Sequence, residues 1–177
     1  MDENVSVWKA NLTNGLIMGL LGIVFTLCLY FFELLFNRSL GYIFLVVQFI
    51  ILYFMIKSYR NNYRHGYLTY GQSVGAGVVI FLYYAVISAV FTYILYKFID
   101  TGLTAKLLAF TEDTMVKQGR SQQVIDAANA FNKKIFIPEL MAPFSILGIM
   151  IGGTIIPLIV SIFTRKEGNP LVDAPSN

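Results

Sequence analysis

Four long stretches of apolar residues organise the chain, at about residues 12–36, 40–56, 71–99 and 135–164. Roughly 20 residues of helix cross the hydrocarbon core of a membrane, so each stretch is close to or above the length of a span. Because backbone amides find no water in lipid, each stretch is best satisfied as an α-helix. The pattern therefore predicts an all-α integral membrane protein with four spans.

The connections between the spans predict their arrangement. The short connection 37–41 allows only an antiparallel hairpin between spans one and two. Residues 103–134 are more polar and carry apolar residues at helical spacing, with Gly119 and Ser121 placed to end one helix and begin another. We expect an amphipathic helical hairpin there, between spans three and four. The predicted fold is a four-helix bundle within a single domain at 1–166, with a disordered tail at 167–177.

Composition favours a lipid environment over an aqueous one. Hydrophobic residues make up 56% of the 177 residues and charged residues only 13%, which lies outside the range of soluble domains. The N-terminus is acidic and no small-residue cleavage site follows the first apolar stretch, so we expect span one to be retained. The single cysteine, Cys28, lies inside that span, and cysteine content therefore indicates no compartment.

The distribution of cations predicts an orientation. The net charge of +3 is spread beside the spans and forms no dense basic run, so we expect no nucleic-acid partner. The turn between spans two and three has three cations and no acid, which favours a cytoplasmic position for this turn and for both termini. Because cations alternate with tyrosines there, we expect lipid headgroup contacts by Lys57, Arg60 and Arg64.

Small residues recur within three of the predicted spans. Spacings of three and four residues place them on one helix face, where they let neighbouring backbones approach closely in lipid. Packing within one chain and a seam between two copies both fit this pattern, and we favour the first. The glycines expected to pack are Gly15, Gly19 and Gly22 in span one, Gly71 and Gly75 in span three, and Gly148 and Gly152 in span four.

Two carboxylates, Glu33 and Glu139, lie at or near the predicted membrane depth. An ionisable group inside a span is a candidate proton or cation site. Anchoring at the interface is the favoured interpretation, because Glu33 lies near Arg38 and Glu139 follows Pro138 in a first helical turn. Gln48 is the polar residue inside span two, where a hydrogen bond between helices is favoured over an ion or ligand contact.

The sequence GQSVG at 71–75 matches the G-x-S-x-G pattern of serine hydrolases. That pattern requires a strand-turn-helix elbow, together with a histidine and an acid from elsewhere in the fold. Here it begins a predicted span, and the only histidine of the sequence is His65 in the adjoining turn. We therefore interpret Ser73 as a hydrogen-bonded residue among packing glycines, and we expect no catalytic residue, no metal site and no cofactor.

Three features together resemble a known family. They are the segment HGYLTYGQSVGAG at 65–77, the long helical insert before span four, and the ending GGTIIPLIVSIFTRK at 152–166. Over about residues 7–166 the chain resembles the bacterial four-span membrane family called domain of unknown function 4199. The resemblance implies an integral inner-membrane protein of four helices, with no established activity and no functional residues to transfer.

The function predicted from these patterns is that of a non-enzymatic membrane scaffold or accessory subunit. Packing motifs are frequent, whereas polar groups suited to a substrate path are few. The expected partners are membrane lipids and either another membrane protein or a second copy of the chain. The alternative is a small proton- or cation-coupled transporter or channel that uses Glu33 and Glu139.

Overall fold

The computed structural model describes residues 5–168, and this part of the chain is almost entirely helical. It contains an isolated bridge between Leu68 and Lys166 and no longer β-structure, so the predicted all-α class is confirmed. A π-helical turn at Leu95–Ile99 continues α3. The helices are α1 Val7–Phe31, α2 Arg38–Tyr63, α3 Tyr70–Ile94, α4 Leu103–Lys117, α5 Gln122–Ile135 and α6 Pro138–Thr164.

Four of these helices are long and apolar enough to cross a membrane, namely α1, α2, α3 with its π-helical turn, and α6. The chain is therefore a helical bundle of the membrane type, with α4 and α5 forming the amphipathic hairpin predicted between the last two spans. Residues 167 and 168 follow α6 without regular structure. The rest of the predicted tail, 169–177, lies outside the described residues.

The first span ends earlier than the sequence predicted. α1 stops at Phe31, because Glu33 adopts a left-handed backbone conformation with φ of 58°. The Glu33 amide donates to the Tyr30 carbonyl at 3.1 Å and the Leu34 amide to the Leu29 carbonyl at 2.8 Å. These two bonds form a Schellman motif, which normally ends at a glycine. Glu33 thus lies two residues after the last residue of α1, whereas the prediction extended the helix to residue 36.

The second span continues beyond its predicted end at residue 56. α2 reaches Tyr63, so most of the basic segment predicted to form a turn is helical. The chain reverses at His65 and Gly66, whose φ angles are 51° and 83°. Thr69 then caps α3. Its hydroxyl oxygen accepts from the Gln72 amide, and the side-chain oxygen of Gln72 accepts from the Thr69 amide. This reciprocal capping box fixes where the third span begins.

The third span is the centre of the bundle. Buried residues make up 39% of its most apolar part, against 22%, 22% and 28% for α1, α2 and α6. α3 packs most extensively against α6 and next against α1, whereas α2 lies mainly against α6 and α1. A Cβ atom on Gly77 would lie 2.6 Å from Cβ of Pro157, and one on Gly153 would lie 2.6 Å from Cβ of Phe81. Each of α3 and α6 therefore contributes one glycine that receives a bulky group of the other.

The glycines of α1 face α3 in the same way. A Cβ atom on Gly19 would lie 2.6 Å from the Ile87 side chain, and one on Gly22 would lie 2.5 Å from the Tyr84 ring. Gly15 lies as closely beneath Tyr83. Gly15 and Gly19 face Tyr83 and Ile87, and Tyr30 near the end of α1 donates to Asp100, which follows the π-helical turn after α3. α1 and α3 are therefore parallel, whereas α3 and α6 are antiparallel.

The expectation of close packing within one chain is wrong at Gly71, Gly75, Gly148 and Gly152. A Cβ atom added at any of them would meet no heavy atom within 4 Å. They have the same spacing as the packed glycines of α1, but they lie on sides of α3 and α6 that no other helix covers at those positions. Spacing selects a helix face, and only the placement of neighbouring helices decides whether that face is covered.

The hairpin formed by α4 and α5 packs mainly on itself and has a few anchors on the bundle. Leu103 is 2% exposed and packs beside Leu95 and Tyr96, while the rings of Phe36 and Phe110 stack at 5.4 Å. Gly119, with φ of 69°, ends α4 in a Schellman motif as its position predicted. Ser121 precedes α5 but makes no side-chain capping bond.

Neighbouring glycines of α6 provide a matched test of the contact between α3 and α6. Gly153→Ala should lower the free energy of unfolding by about 1–3 kcal/mol, because the added methyl group overlaps Phe81. Gly152→Ala should be neutral or stabilising by about 0.5–1 kcal/mol, since alanine favours a helix where space is open. Unfolding in mild detergent measures both variants. Equal stabilities would show that this contact is not a close one.

Candidate functional site

Glu139 forms an ion pair where α3 and α6 meet at the hairpin end of the bundle. Its Oε1 atom accepts from Nζ of Lys97 at 2.6 Å, and the two side chains are 47% and 45% exposed. Glu139 lies in the first turn of α6, and Lys97 lies in the π-helical turn that continues α3. The arrangement joins the end of one span to the start of another at an exposed position.

Glu33 borders a cavity of about 550 Å³ between the end of α1 and the start of α4. Lys106 lies on the same cavity, and the two charges interact through space. The predicted pairing with Arg38 is absent from the ion pairs found within residues 5–168. Glu33 and Glu139 therefore have different cationic neighbours, and each lies beside charged groups at this end of the molecule.

Asp100 is a third carboxylate at this end, and it is not among the predicted site residues. Its Oδ2 atom accepts from Nζ of Lys106 at 3.1 Å and from the Tyr30 hydroxyl at 3.4 Å, while Oδ1 accepts from the Gly102 amide at 2.9 Å. Asp100 thus joins α1, the end of α3 and the start of α4. The Asp-Thr-Gly sequence at 100–102 is a turn signal that could have pointed to it.

Charge pairing shifts the pKa values of Asp100 and Lys106. The hydrogen bond from Lys106 is the main cause that holds the pKa of the Asp100 carboxyl below its ordinary value, and the Gly102 amide adds to it. The hydrogen bond to Asp100 and its charge in turn raise the pKa of Lys106. Both groups therefore keep their charges across the physiological range.

Gln48 lies on the face of α2 that is turned into the bundle, and it is 8% exposed. The side chains of Gln48 and Ser88 lie near the Tyr84 hydroxyl on α3. This group connects α2 to α3 about midway along both helices. The geometry is that of a polar contact between spans.

Ser73, the serine of the GQSVG segment, is buried against α6. Its Oγ atom lies 2.7 Å from Oγ1 of Thr164, and both residues are at most 1% exposed. Thr164 also donates to the Val160 carbonyl at 3.2 Å, and Ser161 is buried one turn earlier. The hydroxyl of Ser73 is thus engaged with a threonine, while His65 lies in the exposed turn. This geometry fastens two helices.

The cations of the α2–α3 connection are held by neutral groups. Arg64 donates from Nε to the Tyr59 hydroxyl at 2.8 Å, and Arg60 donates from Nη1 to the Thr164 carbonyl at 3.0 Å. The Nζ atom of Lys57 lies 5.9 Å from the centre of the Tyr53 ring. All three predicted headgroup residues are therefore on α2 or at its C-terminal end, and Arg60 contacts the end of α6.

These observations define a multi-pass α-helical membrane protein whose spans are packed around α3. The chain belongs to the family described as a protein of unknown function, DUF4199, whose sequence model matches residues 13–166. Neither a curated protein nor a solved structure matches the chain. Residues 5–168 contain no group of three or more His, Cys, Asp or Glu side chains placed to hold a metal ion.

Asp100 should make the attachment of α4 sensitive to acid. Its folded-state pKa is lowered, so its contribution is present above the pKa of the unfolded chain and is lost as the pH falls below about 4. Asp100→Asn should remove this dependence and speed hydrogen exchange at the start of α4 at neutral pH. Asp113→Asn is the control, because Asp113 pairs with Lys117 inside α4 alone. Equal exchange in the two variants would contradict the assignment.

Glu33 should carry backbone strain that glycine relieves. A left-handed conformation costs a residue with a side chain roughly 1–2 kcal/mol relative to glycine. Glu33→Gly should therefore raise the free energy of unfolding by about 1 kcal/mol. Glu33→Ala removes the same charge without relieving the strain, and it should bring no such gain. A glycine variant no more stable than the alanine variant would show that this end of α1 is not strained.

Proposed function

We propose that this chain is a non-enzymatic scaffold or accessory subunit of a bacterial cytoplasmic membrane, with both termini on the cytoplasmic side. It would hold a second membrane protein through its exposed spans. A hydrolase would use Ser73 as its nucleophile, and a transporter would use Glu33 and Glu139 as ion sites. The contacts of these residues support structural roles instead.

The observation that carries this proposal is the close packing of the bundle interior. Between α1, α3 and α6 the space is occupied by side chains that rest directly on glycine backbone, such as Phe81 on Gly153 and Ile87 on Gly19. Two of the buried polar side chains, Asn11 and Ser73, bond to the helices themselves. Asn11 donates to the Val7 carbonyl at 2.9 Å, and Ser73 is bonded to Thr164 at 2.7 Å. Such an interior favours a fixed assembly over a path for a substrate.

The second span offers the surface on which a partner would lie. α2 packs less extensively than α3 and leaves one long apolar stripe uncovered. Ile43, Val46, Ile50 and Phe54 occur at helical spacing along it and are 51–59% exposed. Membrane helices associate through shape complementarity rather than through the hydrophobic effect, so a partner helix must match this stripe closely.

Recovery of the tagged chain from its native membrane in mild detergent tests the proposal. We expect a second protein at fixed stoichiometry in the mass of the complex. Val46→Trp should abolish its recovery by blocking the stripe, while Ile151→Trp on the exposed side of α6 should leave it unchanged.

The competing outcomes are equally concrete. A chain recovered alone or only as a homo-oligomer would contradict a role as accessory subunit. The same result, combined with a proton or cation flux in liposomes that Glu139→Gln abolishes, would establish the transporter alternative. In that case the ion pair between Lys97 and Glu139 would be part of a gate.

A further inference from the structure

The cations at the two ends of the bundle are held in different ways. At the hairpin end Lys97, Lys106 and Lys117 each contact a carboxylate, at 2.6, 3.1 and 2.6 Å. At the opposite end, where α2 and α6 finish, no ion pair within residues 5–168 involves Lys57, Arg60, Arg64 or Lys166. Neutral partners fix these groups without cancelling their charge.

Arg64 is the most firmly oriented of them. Its Nε atom donates to the Tyr59 hydroxyl at 2.8 Å, and its Cζ atom lies 5.6 Å from the centre of the same ring. Tyr59 is 1% exposed, so it is a rigid support. The hydrogen bond uses Nε. The two terminal nitrogens form the edge that binds two phosphate oxygens at once.

Arg60 lies one helical turn before Arg64 and is fixed by the end of α6. Its Nη1 atom donates to the Thr164 carbonyl at 3.0 Å, and Nε donates to Oδ1 of Asn61 at 3.2 Å. Residues four apart on a helix have neighbouring side chains, with Cβ atoms about 5–6 Å apart. Lys57 precedes Arg60 by three residues, so all three cations follow one stripe of α2.

The bridge after α6 brings a fourth cation to this end. The Leu68 amide donates to the Lys166 carbonyl at 2.8 Å, and the Lys166 amide donates to the Leu68 carbonyl at 2.9 Å. The Nζ atom of Lys166 lies 5.5 Å from the centre of the Tyr67 ring. The backbone of the α2–α3 connection and that of the α6 end are thus locked together beside Arg60.

We propose that Arg60 and Arg64, flanked by Lys57 and Lys166, form a binding site for the phosphate group of an anionic phospholipid. The guanidinium fork matches the geometry of phosphate oxygens, and an oriented fork loses less freedom on binding than a mobile one. The exposed apolar stripe of α2 ends at Phe54, within one turn of Lys57, where acyl chains would continue from a bound headgroup. This continuity favours a lipid over soluble phosphate.

Replacement of arginine by lysine separates such a site from general attraction to an anionic membrane. Both residues carry one positive charge, but a lysine cannot bind two oxygens of one phosphate in a plane. The purified full-length chain is titrated in an uncharged detergent with dioleoyl phosphatidylglycerol or dioleoyl phosphatidylcholine, and native mass spectrometry counts the retained lipids. The wild type should prefer phosphatidylglycerol by about tenfold.

Three variants sharpen the test. The R60K/R64K double variant should lose the preference, although its net charge is unchanged. K133Q/K134Q removes two cations at the hairpin end and should keep it. Tyr59→Phe removes only the hydroxyl that orients Arg64 and should lower the preference by about threefold. R60K/R64K could also unfold at a lower temperature, because the Thr164 carbonyl has lost its donor. In that case Tyr59→Phe is the variant that tests the lipid preference.

Two results would overturn the site. One is a preference that survives in R60K/R64K and in Tyr59→Phe, and the other is a preference lost equally in K133Q/K134Q, which would indicate attraction by overall charge. A parallel titration with inorganic phosphate identifies the source of the ligand. Displacement of phosphatidylglycerol by millimolar phosphate would assign recognition to the phosphate group alone. Persistence of the bound lipid would assign it to the phospholipid as a whole.

Discussion

The antiparallel contact between α3 and α6 is the interaction on which the rest of the structure depends. Lipid gives two apolar helices no hydrophobic reason to associate, so they must gain dispersion energy through close approach. Gly77 receives the ring of Pro157, and Gly153 receives Phe81. A proline ring within a helix is rigid, and a glycine is the residue that can lie beneath it. The pair therefore fixes the register of the two helices.

The remaining contacts extend from this register. Ser73 meets Thr164 at one end of the pair, and Lys97 meets Glu139 at the other, so the two helices are fastened along their whole length. Tyr83, Tyr84 and Ile87 then present a second face of α3 to the glycines of α1. α2 has no comparable glycine contact, and it packs less extensively than the other three spans.

The sequence predicted the elements of this fold well because the bilayer imposes a length on every span. It predicted the contacts less well. Gly71 and Gly75 have the spacing of Gly15 and Gly19, yet they face open space, because coverage depends on where other helices lie. The segment YFFELLF at 30–36 reads as an unbroken apolar run around one acid, and nothing local marks Glu33 as the residue that ends α1. The end of α4 was predictable because a glycine occupies the corresponding position.

In the candidate site, too, the local sequence pattern was predictable, whereas the contacts between distant helices were not. Alternating cations and tyrosines pointed to a headgroup region, but only the fold brings the end of α6 to Arg60. There the guanidinium group caps the carbonyl end of α6, where the helix dipole favours positive charge. The same side chain would contact lipid phosphate, so packing of α6 and lipid binding share one residue. A phosphate that draws Arg60 away weakens the cap, whereas one that binds through Nη2 leaves the cap in place. Because Nη1 already faces the Thr164 carbonyl, the second mode costs less, and a bound headgroup would reinforce the contact between α2 and α6.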